Sequence, residues 1–276
     1  MDLQLAGKAA LLIGAGRGLG GAAALAMARE GARIAVLART RTDVDARASE
    51  CRQAGAQKAI GIAADAIDPA ALKRAVEETA REFGGIDVLV TLVGGSQPGG
   101  TAELSGADWE AAYDRNLWPA VRASRYALPY LIGGAVRRGF AEPHPELQEP
   151  HVPREPGVIL HVASIWGREG GGSLAYNTAK AALIALAHEQ ARELAPRGVR
   201  VLSLAPGSIL HPGGSWERRL SSDPAGTAAF VQREIPFGRF GTAEEIGDVI
   251  AFLVSPRASW IAGACVVADG GQSRAF

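Results

Sequence analysis

Apolar residues along the chain gather into two kinds of stretch. The first are short unbroken runs: KAALLI (8–13), RIAVLA (33–38), KAIGIA (58–63), DVLVTLV (87–93), GVILHVA (157–163), VRVLSLA (199–205) and ACVVA (264–268). Continuous apolar runs, in place of strict alternation, are what strands covered on both faces of a parallel sheet require. The second kind is longer, mixed with charge, and carries helix punctuation. Asp68 before Pro69 predicts an N-cap with proline at the first helical position, Thr242 with Glu245 predicts a capping box, and Gly31 after GGAAALAMARE predicts a helix stop. Strand and helix in alternation predict an α/β protein, a doubly wound (Rossmann) parallel sheet of about seven strands with helices on both faces. No shift in composition marks a second unit, so residues 1–276 are expected to form a single domain.

One segment interrupts this rhythm. Residues 137–156, RRGFAEPHPELQEPHVPREP, carry five prolines in their last fourteen positions, which predicts an irregular or extended excursion. It reads either as a lid or interface arm or as a tolerated surface insertion. Its two histidines, His144 and His151, have no carboxylate or cysteine at ligand spacing, and no metal is expected.

Charge narrows the function. Lysine and arginine total 29 against 29 acids, with no basic block, which argues against nucleic acid or a membrane surface as partner. Cys51 and Cys265 stand far apart with no CxxC pattern, as in a reducing compartment. The N-terminal MDLQLAGKAALLIG has an acid at position 2 and only a short apolar run, so no signal peptide is expected. No stretch of about 20 apolar residues is present to span a bilayer. A cytoplasmic location is the expectation. Only four of the basic residues are lysines (Lys8, Lys58, Lys73, Lys180), so a lysine in a suggestive place carries more weight than an arginine.

One such lysine is in YNTAK, 176–180, between the glycine run GREGGGSLA and an alanine-rich helical stretch. At i, i+4 on a helix, the Tyr176 phenol and Lys180 ammonium share a face and could meet in one pocket. A second candidate follows the first strand: IGAGRGLGGAA, with Gly14, Gly16, Gly18 and Gly20. Glycines there let the backbone turn sharply and approach a pyrophosphate, whose charge meets the N-terminus of the next helix. The second strand ends at Ala38 with Arg39 and Arg41 following, and Arg17 projects from the glycine loop. An acid at this strand end would bind the ribose hydroxyl of NAD. Its absence, with arginines in place, favours NADP(H), while NAD(H) stays open.

Taken in order, GAGRGLG, AADAID, DRNLW (114–118), VASIWG (162–167), YNTAK, LAPGSI (204–209) and the C-terminal GRFGTAEEIGDVIAFLVSPRASWIAGACVVADGG (238–271) resemble the short-chain dehydrogenase/reductases. The resemblance covers Lys8 to Gly271 apart from the insertion. It implies an oxidoreductase that interconverts a carbonyl and a secondary alcohol, with Tyr176 as acid/base. Lys180 would lower the phenol pKa from its ordinary value near 10 and bind the nicotinamide ribose. Ser164 would hydrogen-bond the reacting oxygen, and Asn116 would hold a water in the proton relay. Leu19 and the loop glycines would face the cofactor, as would Gly94, Pro206 and Gly207. Asp65 would contact the adenine, and the backbone of Ile209 the nicotinamide carboxamide.

Two departures stand out: Ile13 replaces the usual threonine before the first loop glycine, and Thr91-Leu92-Val93-Gly94 replaces NNAG. Both are less polar, and they read as a compensated pair that alters the geometry beside the nicotinamide. His161, in a buried strand run, reads as a satisfied core residue. For substrate contacts the candidates are Gly95, Ser96 and Gln97, Trp166, His211 and Trp216, with the two tryptophans suggesting an apolar or aromatic face. Two alternatives stay open, a 3-oxoacyl carrier-protein reductase and a non-catalytic NADP-binding regulator. The C-terminal helix has Ile246, Val249, Ile250 and Leu253 on one face, with Phe252 and Val254 outside it. That surplus of apolar surface, together with the resemblance, implies a homotetramer, with a dimer as fallback.

Overall fold

The computed structural model describes residues 1–95, 100, 103–137 and 157–275. Positions 138–156, nearly all of the proline-rich excursion, lie outside the described residues, as do Ser96 and Gln97. The strands are β1 (Ala9–Ile13), β2 (Arg33–Ala38), β3 (Lys58–Ala63), β4 (Val88–Thr91), β5 (Gly157–Val162), β6 (Val199–Pro206), β7 (Ile209–Leu210), β8 (Gly241–Thr242) and β9 (Cys265–Ala268). Seven form one parallel sheet in the order β3-β2-β1-β4-β5-β6-β9. Each of the seven apolar runs is a strand, with ends shifted by no more than two residues. β1, β4, β5 and β6 are buried along their whole length, as unbroken apolar runs require.

The helices are α1 (Gly18–Arg29), α2 (Arg41–Ala54), α3 (Pro69–Phe83), α4 (Gly106–Asn116), α5 (Trp118–Arg137), α6 (Leu174–Leu194), α7 (Ser215–Ser222), α8 (Pro224–Glu234) and α9 (Ala243–Val254). α1, α2 and α9 cover one face of the sheet around Met27, Val44 and Ile250, while α3, α5 and α6 cover the other around Leu72, Leu131 and Ala187. Each fully buried Leu or Ile there contributes about 1.5–3 kcal/mol. The helix signals hold: Asp68 accepts from the backbone N–H groups of Ala70 and Ala71, Thr242 and Glu245 close a capping box, and Gly31 takes φ +76° beyond α1. None of the helices among the described residues is long and apolar enough to cross a membrane.

α9 corrects part of the reading of its surface. Val254 is buried in the core of its own chain, so it leaves no surplus to cover. Gly247 brings α9 so close to α1 that a Cβ there would lie 2.8 Å from the Ala22 carbonyl carbon. Val249 and Phe252 stay half-buried, β9 is half-exposed at the sheet edge, and Trp260 beside it is 95% exposed.

The sequence reading missed the two-stranded β7–β8 pair, in which Ile209 faces Gly241 and Leu210 faces Thr242. Two residues give no periodicity to read. This clasp ties together the base of the α7–α8 excursion and so fixes where the excursion can lie.

Candidate active site

The order in which successive strands are laid down reverses between β1 and β4, and a crevice opens there at the carboxyl ends of the parallel strands. Two cavities occupy it. One of about 680 Å³ is bounded by the glycine loop, the Tyr176 region and α7–α8. Beside it, one of about 370 Å³ lies between the glycine loop, the end of β2 and the Asp65 turn.

Between them runs the glycine loop. Gly14 and Gly18 take φ +87° and +57°, and a Cβ on Gly20 would lie 2.6 Å from the Gly14 carbonyl oxygen. Glycine is therefore required for the turn and for the helix to start against it. The first turn of α1 contains no acid, and the N-cap residue Arg17 makes no side-chain cap hydrogen bond, which leaves N–H groups of that turn for an external acceptor. A dinucleotide diphosphate fits such a cradle in shape and charge. Gly14, Arg17, Gly18, Leu19 and Gly20 all border the larger cavity, and Gly16 borders the smaller one.

The opposite wall is built from β5 and α6. Ser164 follows β5, where its hydroxyl accepts from the Trp166 N–H at 3.2 Å and hydrogen-bonds the Tyr176 phenol. Tyr176 and Lys180 stand one turn apart on α6, with the Lys180 Nζ 5.7 Å from the phenol ring centroid. Nζ donates to the Val162 carbonyl at 3.0 Å, and its burial pulls the lysine pKa down to about 8. The Tyr176 pKa is raised, by burial, with the Ser164 hydrogen bond acting the other way. Removing the phenolate from water outweighs the Ser164 hydrogen bond in setting that direction.

Asn116 closes α4 at its junction with α5. Its Oδ1 accepts from the Gly95 N–H at 2.9 Å, and its Nδ2 donates to the carbonyls of Gly95 and Ala112. The amide thus clamps the loop after β4. A Cβ on Gly94 would meet both Asn116 Oδ1 and Lys180 Nζ, at 2.7 and 2.9 Å, so glycine is needed for the loop to pass between them.

The departures in the β4 loop have their partners elsewhere than expected. Ile13 and Thr91 are register partners, but their strand ends are tied by the backbone, Leu92 N–H to Ile13 carbonyl at 2.8 Å. The Thr91 hydroxyl instead meets His161 Nδ1 at 2.8 Å on β5, and His161 Nε2 meets Gln190 Oε1 on α6 at 3.0 Å. Because Gln190 Oε1 can only accept, the proton sits on Nε2 and Nδ1 accepts from threonine. His161 is a satisfied core residue, as read, and burial holds its pKa down at about 4.

At the far rim, the smaller cavity gathers Ala38, Arg39 and Asp65 as expected. Asp65 Oδ1 also accepts from the Ile67 N–H, so the residue shapes its own turn while facing the cavity. A residue missed in the sequence joins them: Asp43, whose carboxylate pairs with Arg17 Nε at 2.9 Å. It lies in the first turn of α2, five residues beyond the strand end where an acid is expected.

On the substrate side, Gly95, Trp166, His211 and Trp216 border the larger cavity together with Tyr176. The glycine run before YNTAK gains a reason here, since a Cβ on Gly171 would collide with the Trp166 indole and one on Gly172 with Asn177 Oδ1. The His211 ring lies against Gly18, where a Cβ would come within 2.8 Å of its Cε1. Pro206, Gly207 and Ile209 line the same cavity, and the Gln272 side chain accepts from the Ser208 N–H at 2.8 Å to hold that turn. Phe230 was missed; Arg219, which borders the same cavity, lies three residues after Trp216 on one helix.

A family model described as short chain dehydrogenase matches residues 8–140, and one described as Enoyl-(Acyl carrier protein) reductase matches 145–273. The chain belongs to the short-chain dehydrogenase/reductase family of oxidoreductases. Among similar proteins, the short-chain reductase protein NovJ of Streptomyces niveus is 32% identical over 95% of this chain and 93% of its own length. The 3-oxoacyl-[acyl-carrier-protein] reductase FabG of Escherichia coli is 31% identical, over 98% and 99%. The crystal structure of L-sorbose reductase from Gluconobacter frateurii, complexed with NADPH and L-sorbose, superposes with TM-score 0.88 at 27% identity over the full length of both chains.

Proposed function

We propose that this protein is an NADP(H)-dependent oxidoreductase that interconverts a carbonyl and a secondary alcohol and is best suited to carbonyl reduction. The observation that carries the reading is the meeting of the Tyr176 phenol, the Ser164 hydroxyl and the buried Lys180 ammonium on one wall of a cavity whose other end is the glycine loop. The glycine loop, Arg17 and Arg39 would hold the dinucleotide, with Arg17 and Arg39 on its 2′-phosphate. Pro206, Gly207 and Ile209 would border the nicotinamide, which when bound supplies a hydride to the carbonyl carbon.

The chain's own residues handle the oxygen. Ser164 orients the carbonyl oxygen, and Tyr176 passes its phenolic proton to that oxygen as the carbon is reduced. A raised pKa keeps the phenol protonated at neutral pH, which suits a proton donor. Lys180, with its pKa near 8, exchanges protons close to neutrality and is placed to restore the one Tyr176 gives up. Asn116 keeps Gly94 and Gly95 clear of that path.

Purified protein tested against ketones with NADPH and with NADH, followed by nicotinamide absorbance, should reduce a carbonyl with NADPH preferred. A failure to reduce any ketone, with either cofactor bound, would overturn the reading. The FabG likeness supports a second substrate form, a thioester-borne 3-oxoacyl group, and such a thioester belongs in the same assay. We further propose a cytoplasmic homotetramer assembled through the β9 edge, Trp260 and the exposed side of α9. A single monomeric species in light scattering at micromolar concentration would refute that assembly.

A further inference from the structure

The excursion carrying α7 and α8 places one cation at the substrate cavity that the cofactor chemistry does not use. Trp216 packs at a tilt against Phe230 and Phe240, at centroid distances of 4.5 and 5.0 Å, which fixes the indole at the cavity wall. The Arg219 guanidinium lies over that indole, 5.4 Å from its centroid. Its helix neighbours are already committed: Glu217 accepts from the Gly213 N–H at 2.7 Å, and Arg218 donates to the Gly213 carbonyl at 2.8 Å. Among the described residues, Arg219 forms no ion pair.

The charges around it are equally one-sided. Apart from Arg219, the cations bordering the larger cavity are Arg17, paired with Asp43 at the cofactor end, and Lys180, bonded to Val162. No aspartate or glutamate among the described residues borders that cavity. The rest of the substrate side is aromatic or small, with Trp166, Trp216 and Phe230 as its large surfaces. A neutral ketone would make no use of the cation, and a cationic substrate would be repelled. A phosphoryl dianion would call for more donors than one guanidinium. A carboxylate matches it in charge and in planar, two-pronged geometry.

We propose that Arg219 binds the carboxylate of the substrate, so that this enzyme acts on keto acids or hydroxy acids with an aromatic or bulky apolar body packed between Trp166 and Trp216. This rests on the carbonyl-reductase reading above and names the substrate class of the same site.

The test measures kcat/KM with NADPH for benzoylformate and benzoylpropionate, each against its methyl ester, in the native chain, Arg219→Gln and Arg219→Lys. The native chain is expected to favour at least one acid over its ester by about tenfold or more, the scale of one charge-assisted contact. Arg219→Gln should bring that ratio near unity, and Arg219→Lys should restore part of it. Equal rates on acid and ester overturn the inference while leaving the reductase reading intact. An unchanged ratio in Arg219→Gln, with weakened NADPH binding, also overturns it and moves Arg219 to the cofactor. Calorimetric titration of phenylbutyrate into protein with NADP⁺ adds a readout free of turnover. Phenylbutyrate that binds the native chain and not Arg219→Gln supports the carboxylate site even if no ketone is reduced, and that second result counts against the reductase reading alone. Equal or absent binding in both proteins, with no acid turned over, overturns the inference.

Discussion

The two ends of the crevice hold their polar groups in opposite ways. On the β5–α6 wall, Lys180 and His161 are buried, each with a specific partner, and burial pulls their pKa values down to about 8 and about 4. At the rim beside the smaller cavity, the largely exposed Arg17 pairs with Asp43 at 2.9 Å. Low effective dielectric strengthens the wall's interactions, whereas solvent screens those of the rim. Substitutions on the wall should therefore cost far more than substitutions on the rim, and this ordering is open to test.

The largest effect is expected at Tyr176. Tyr176→Phe keeps the ring between Ser164 and Lys180 and removes the proton, so turnover should fall by about 10²–10⁴-fold with cofactor binding little changed. Stopped-flow reduction paired with a fluorescence titration of NADPH separates the two. Turnover within a few-fold of the native rate would remove the contrast at its strongest point.

Next comes the buried relay behind the wall. The His161 pKa is about 4 in the folded chain and about 6.5 unfolded. Above pH 6.5 both states hold a neutral ring, and the relay contributes its full stability. As pH falls toward 4 the unfolded chain takes up the proton first, so stability drops, by about 3 kcal/mol once both are protonated. Urea unfolding across that window should show the slope, and His161→Asn, less stable at neutral pH, should lose much of it. An equal slope in both proteins would place the pH dependence elsewhere.

The legibility of these regions follows the same division. Strands and helix caps were readable because each rests on a local pattern: an unbroken apolar run, or Asp68 ahead of Pro69. The wall was readable because Tyr176 and Lys180 stand one turn apart on one helix, while Ser164 came only from the family resemblance. Thr91 and His161 were both noticed, but their pairing joins β4 to β5 across seventy positions of sequence, and no single-chain pattern reports a cross-strand hydrogen bond. The burial of Tyr176 was hidden for a related reason, since burial depends on the whole cavity and the i, i+4 spacing reports only the neighbour. Phe230 and the β7–β8 clasp were hidden because short elements carry no period, and their meaning comes from what they fold against.

The smallest effects belong to the rim. Ala38→Asp with Arg39→Leu places an acid where the 2′-phosphate is proposed to sit and removes one guanidinium, so the NADPH-over-NADH preference should fall by about ten- to a hundredfold. Asp43→Asn should act in the opposite sense and more weakly. Asp43 now neutralises Arg17 through a 2.9 Å pair beside that cavity, and its own negative charge borders the same space. Removing it frees the guanidinium for the phosphate and lifts a repulsion. Arg17 is largely exposed, however, and pairs reached by solvent contribute only on the order of 0–1 kcal/mol. The expected result is a gain of a few-fold in NADPH affinity at low salt, fading as salt is raised, with NADH affinity little affected. Calorimetric titration of both cofactors at two ionic strengths would measure it. A gain that is large and independent of salt would show that the rim behaves like the wall, and a loss of NADPH affinity would show that Asp43 serves the ribose instead.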